Sequence, residues 1–152
     1  MLRPLVSQQL KDAMRAKDER AVSTLRLISA AIKDRDIAAR SDGITDGVSD
    51  DEILQLLQKM IKQRQESIKM YEEGGRLELA QQEREEIEII ERFLPKQLSD
   101  DEITAAVDKT INDLGAGSMK DMGPLMAALR ERYAGVMDFG KASATAKARL
   151  MN

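Results

Sequence analysis

Phe93-Leu94-Pro95-Lys96-Gln97-Leu98-Ser99-Asp100-Asp101-Glu102-Ile103 decides how this chain is divided. Pro95 has no amide hydrogen to donate and pushes Leu94 out of helical geometry, so a helix arriving from Arg76 stops there. Ser99 starts another. Its hydroxyl is placed to accept from the Glu102 amide while the Glu102 carboxylate reaches back to the Ser99 amide, and Leu98 and Ile103 form the two ends of a hydrophobic staple. A stop followed so closely by a doubly specified start reads as a joint between two bodies, 1–94 and 95–152.

Working back from the joint, every segment has helical spacing. Leu5, Val6, Leu10 and Met14 mark a helix over 2–16, and Val22, Leu25, Ile28 and Ile32 mark a second reaching about Arg40. Asp18 is a plausible cap between them, and the alternative of one continuous helix stays open. Residues 41–48 are a loop by composition. Ser49-Asp50-Asp51-Glu52 repeats the capping pattern, with Val48 and Ile53 as its staple, and opens a helix that runs to about Glu73, roughly 36 Å at ~1.5 Å per residue. Gly74-Gly75 then permits a reversal into Arg76–Phe93, making an antiparallel helical hairpin. Glu83, Glu85, Glu86, Glu88 and Glu91 read as the solvated face of that returning helix.

Beyond the joint, Ile103, Val107, Ile111 and Leu114 make a short helix closed by Gly115. Ser118 or Asp121 caps the next; with Asp121 as cap, Pro124 falls at the third helical position, where no intrahelical bond is lost. Tyr133–Asp138 is a loop, and Asp138 caps a final Ala-rich helix. The expected fold is all-α: an N-terminal four-helix domain joined to a small C-terminal three-helix domain.

Composition narrows the chemistry. The 152 residues include no Cys and no His, which excludes thiolate nucleophiles, disulfides, Cys/His zinc sites and imidazole acid–base catalysis. No EF-hand-like loop of carboxylates appears, so no metal and no cofactor is expected. No apolar run approaches a membrane span and the first residues lack a signal-type apolar stretch, so the reading is a soluble, cytoplasmic protein with no membrane partner.

Gly115-Ala116-Gly117-Ser118-Met119-Lys120 invites a phosphate cradle or a Ser118–Lys120 nucleophile–base pair. It lacks the P-loop spacing, and Asp121 would repel a phosphate. A helix-closing glycine followed by a capping serine accounts for the same letters, and no catalytic residue is assigned. The remaining candidates are basic. Net charge is -3, but within the second body residues 120–152 hold six basic against three acidic side chains, a local positive excess. Lys120, Arg130, Lys141 and Lys147, with Arg132 and Arg149, are candidate contacts to nucleic-acid phosphates; without interleaved aromatics, base stacking is not expected. Arg26, Lys33, Lys62 and Arg64 make a secondary basic surface on the N-terminal body.

Four motifs in order carry a family resemblance: Leu25-Arg26…Ala31-Ile32-Lys33, Ile61-Lys62-Gln63-Arg64…Glu66-Ser67, Leu94-Pro95-Lys96-Gln97-Leu98-Ser99 and Met119-Lys120-Asp121-Met122-Gly123…Met126. With these spacings the chain resembles the GatB/YqeY family over essentially its whole length. The family in turn resembles the helical and tail domains at the C-terminal end of the GatB component of the tRNA-dependent amidotransferase. There the tail contacts tRNA, while the amide-transfer chemistry belongs to a separate cradle domain with no counterpart in this sequence. Gly123, Met126, Gly135 and Asp138 match the tail pattern; Ala127 and Val136 stand where the tail tends to carry Lys or Arg. The resemblance implies a noncatalytic, tRNA-associated accessory module. Its alternatives are a protein-interaction module of an aminoacylation or stress complex, docking on an aminoacyl-tRNA synthetase or an amidotransferase-related protein, and a carbon–nitrogen ligase with glutamine as amido donor.

Overall fold

The computed structural model describes residues 1–152 and is all-α, with seven helices, one short 3-10 turn and no strand. By its contacts the chain divides into two compact units, Met1–Leu94 and Pro95–Asn152.

The first unit holds α1 (Leu2–Ala16), α2 (Glu19–Arg40), α3 (Asp50–Glu73) and α4 (Leu77–Glu91). α1 and α2 are distinct helices. Lys17 takes the left-handed conformation (φ 58°) that ends α1, and the Asp18 carboxylate accepts from the Ala21 amide at 3.1 Å to start α2. A non-glycine residue in that conformation carries strain, so the turn is held by its neighbours. At the other hairpin Gly75 (φ 73°) reverses the chain, and the Arg76 amide closes it on the Tyr71 carbonyl at 2.8 Å. α4 ends in bonds from Arg92, Phe93 and Leu94 to carbonyls three residues back, so the helix tightens before Pro95 removes the next donor. Leu25, Ile28, Ile53, Leu57 and Ile90 are fully buried at the centre.

The two least exposed ionic links of this unit are the most informative. Arg3 makes a bidentate pair with Asp36, both contacts at 2.6 Å. Arg3 Nη2 also reaches the Val48 carbonyl at 3.0 Å, and the Val48 amide returns a bond to Asp36 at 2.9 Å. This clasp ties the start of α1, the end of α2 and the 41–48 loop together. Gly47 (φ 89°) lies so close that a Cβ there would come within 2.6 Å of the guanidinium. The second link corrects the expectation of a solvated acidic row on α4. Glu86 is buried and Glu83 half-buried, because Arg64 of α3 reaches both, at 2.9 and 3.7 Å.

The second unit holds α5 (Asp100–Leu114), the 3-10 turn Met119–Asp121, α6 (Met122–Arg132) and α7 (Phe139–Leu150). The Ser99 capping box forms with both bonds, Glu102 N–H to Ser99 Oγ at 3.2 Å and Ser99 N–H to the Glu102 carboxylate at 2.9 Å. Just before it, the Leu98 amide donates to the Val136 carbonyl at 2.8 Å and the Gln97 side chain to the Gly135 carbonyl at 2.7 Å. The 133–138 loop is thereby fastened to the start of α5. Ile103, Val107, Leu125, Leu129 and Met137 fill the core. Pro124 is the third residue of α6, where it interrupts nothing.

Candidate nucleic-acid interface

Each candidate cation of the second unit stands on α6, α7 or the turn before them, and all six side chains are exposed. The fold does not gather them. Arg132 pairs with Asp113 at 2.8 Å, Lys141 with Asp100 at 2.9 Å and Arg149 with Asp108 at 2.8 Å. All three acids belong to α5. The last two pairs step eight residues along both helices, so α5 and α7 run in the same direction with an acidic row facing a basic one. Asp100 raises the Lys141 ammonium above its ordinary pKa, and Asp108 does the same to the Arg149 guanidinium. The positive excess read along 120–152 is thus folded back onto the acidic stretch that precedes it.

Lys120, Arg130 and Lys147 make no ion pair. Lys120 sits in the 3-10 turn. Arg130 lies over the Phe139 ring, 6.0 Å from its centroid, at the weak limit of a cation–π contact. Lys147 follows Lys141 by six residues, about 600° of helix, so it points well away from the α5–α7 row. These three are the cations available to a phosphate.

The Gly117-Ser118 turn has no free amides for an anion. The Asp121 carboxylate accepts from the Gly117 amide at 2.8 Å and the Ser118 amide at 3.2 Å, and these bonds hold its pKa below the ordinary carboxylate value. The cap reading of these letters therefore holds over the cradle. Of the tail-pattern residues, Met126 is buried in the small core, Asp138 caps α7 by accepting from the Gly140 and Lys141 amides, and Gly135 takes φ 79°.

The secondary surface on the first unit separates in the same way. Arg26 and Lys33 are exposed on α2 and Lys62 on α3, but Arg64 is only 14% exposed and is engaged by Glu83 and Glu86. Its neighbours show why: the Arg64 Nη1 also donates to the Met60 carbonyl at 3.2 Å, and Gln82 donates to Glu86 at 3.4 Å. Burial and the adjacent Glu86 charge raise the Glu83 pKa. The pairing joins residues 22 positions apart on two helices, but each leaves a trace in the periodicity. Arg64 follows Met60 by four and Leu57 by seven, and Glu86 precedes Ile90 by four, so both charges stand on buried apolar stripes.

No helix is long and apolar enough to cross a membrane. In comparison with known proteins, the model of a family described as Yqey-like protein matches residues 4–150. "Altered inheritance of mitochondria protein 41, mitochondrial" of Vanderwaltozyma polyspora is 32% identical over 123 residues, 77% of this chain and 64% of that protein. The protein of the same name from Lachancea thermotolerans is 32% identical over 111 residues, 72% of this chain and 57% of its own. The chain thus covers less than two thirds of the length of these yeast relatives.

Proposed function

We propose, for a chain that belongs to the YqeY-like family, a noncatalytic accessory role in which the 95–152 unit holds tRNA by its backbone phosphates. In this reading the two units are separately folding domains, four helices over 1–94 and three over 95–152, linked at Leu94–Leu98. The observation that carries the reading is the set of exposed, unpaired cations Lys120, Arg130 and Lys147 in a unit whose other three candidates are held by aspartates of α5. Each free cation neutralises at most one phosphate, so binding is weak and steeply salt-dependent. A ligase activity of the chain's own is disfavoured because the one turn that suggested a phosphate cradle has its amides bound by Asp121. The proposed compartment is the cytoplasm. The yeast relatives carry "mitochondrial" in their names, and both compartments hold the tRNA that the reading requires.

Fluorescence anisotropy with labelled total tRNA over a salt series tests this. The parent should give a log–log slope of about -3, and Lys120→Glu, Arg130→Glu and Lys147→Glu should each lower its magnitude by about one. Lys141→Glu should change it less, since that ammonium already has a partner. Absent affinity at low salt, or a slope unmoved by the three variants together, overturns the reading.

A further inference from the structure

α2 carries two apolar faces. The first, with Leu25, Ile28 and Ile32, is buried in the core. The second, with Leu27, Ala31 and Ile37, lies about 140° round the helix. Leu27 and Ile37 on it remain 50% and 49% exposed. This second face borders a cleft of about 370 Å³ between α2 and α3, whose apolar lining is Leu27, Ala31, Leu56 and Met60. The cleft stays open because α2 packs closely on α1 and α4 and only lightly on α3. Leu27 to Ile37 spans ten residues, so the strip is roughly 15 Å long, the length of about three helical turns.

Charge borders the strip on both sides. Arg35 and Lys59 line the cleft, and Arg26 and Lys33 stand on the far edge of α2. None of the four makes an ion pair, and Asp34 is the single carboxylate lining the cleft. Asp34 stands on the strip between Leu27 and Ile37, so four cations face one carboxylate there and the border is net positive. An exposed apolar strip beside a concave cleft, bordered by unpaired cations, is complementary to a helix with an apolar ridge and acidic borders. Nucleic acid fits less well, because the strip offers no aromatic ring for a base and would face phosphates with leucine and alanine. A flat anionic bilayer fits less well too, since Leu56 and Met60 lie recessed in the cleft and no Trp, Tyr or Phe stands on the strip.

We propose that the α2–α3 cleft is a docking groove for an acidic amphipathic helix of a partner protein. The groove belongs wholly to the 1–94 unit, so it stands or falls independently of tRNA contacts made by 95–152.

Two synthetic helical peptides test it on the full chain. Both carry the same leucine ridge at i, i+4 and i+7; one has glutamate borders and the other lysine borders. The glutamate peptide should bind at least about tenfold tighter and shift the methyl resonances of Leu27 and Met60. Arg35→Glu and Lys59→Glu together should reverse the preference while the circular dichroism spectrum is unchanged, and Leu27→Gln should weaken both peptides. Equal affinity of the two peptides, or methyl shifts confined to other surfaces, overturns the proposal. So does binding of a short RNA duplex or of anionic phosphatidylserine vesicles that the charge variants abolish while the peptide preference does not change.

Discussion

The first unit withdraws one ion-pair cluster, Arg64 with Glu83 and Glu86, from solvent, whereas every pair of the second unit lies outside. Arg64 and Glu86 face each other with side chains 14% and 10% exposed, whereas Lys141 and Asp100 meet at nearly the same distance with 59% and 78% exposed. The geometry is alike and the energetics are not. A charge withdrawn from water depends on its partner, while an exposed pair is screened by solvent and contributes little. Two threonines, each fully buried, differ between the units in the opposite sense. Thr110 donates its hydroxyl to the Ala106 carbonyl at 2.8 Å, but the Thr24 hydroxyl has no hydrogen-bond partner. Polar groups inside the first unit are therefore costlier to disturb where they are paired, and cheaper to remove where they are not.

The sharpest way to break this comparison is Arg64→Ala. It strands two carboxylates against α3 and should cost about 3 kcal/mol in chemical denaturation. Glu83→Gln should instead be neutral or stabilising, because the raised Glu83 pKa shows that its ionised form is disfavoured in the fold. For a carboxyl shifted upward, stability falls as the pH rises through the shifted value, and the Gln variant should lack that decline.

Next in size is the clasp. Asp36→Ala should cost about 2 kcal/mol through loss of its charge-assisted bonds. The bonds from Arg3, then the Val48 amide, hold the Asp36 pKa near 2 against an ordinary 3.8. Its contribution is therefore complete above pH 3.8 and lost as the pH falls through about 2. Acid unfolding of the parent should show a decline in that window that Asp36→Asn does not.

Smaller still are the threonines. Thr24→Val should raise stability by about 1 kcal/mol, and Thr110→Val should lower it by about 0.5–1 kcal/mol, as thermal melts of both would read. Least of all, Lys141→Ala should leave the melting temperature within error. A loss there as large as that of Arg64→Ala would erase the distinction between the units.

How much of this is legible in the sequence follows the range of each interaction. The all-α class, the Ser99 box and the Gly74-Gly75 reversal rest on residues within a few positions of one another, and their letters suffice. The Asp18 cap is harder to read because Lys17, rather than glycine, supplies the left-handed turn. Glu86 reads as solvated because it is a carboxylate in an acidic run. Yet it stands seven residues after Leu79 and four before Ile90, on the apolar stripe of α4, where Arg64 of another helix meets it. The pairing of Lys141 with Asp100 spans 41 positions, and with its two companions it halves the set of cations that the basic excess of 120–152 suggests. The second face of α2 escapes for a related reason: Leu27 falls outside the core stripe, and its value as a surface appears only once α3 stands beside it.

The two short turns at Lys17-Asp18 and Gly74-Gly75 also bear on how quickly the first unit assembles. Each joins helices that are consecutive in the chain, and the closest helix pairing in the unit, α3 against α4, closes a loop of only a few residues. Low contact order of this kind favours fast formation of each hairpin from local encounters. The slow step is then the meeting of α2 with α4, which requires closure across the whole of α3. The Arg20–Glu85 pair, at 3.2 Å and 65 positions apart, belongs to that late seam; being exposed it contributes little, so its removal should speed unfolding only slightly and leave the refolding rate unchanged.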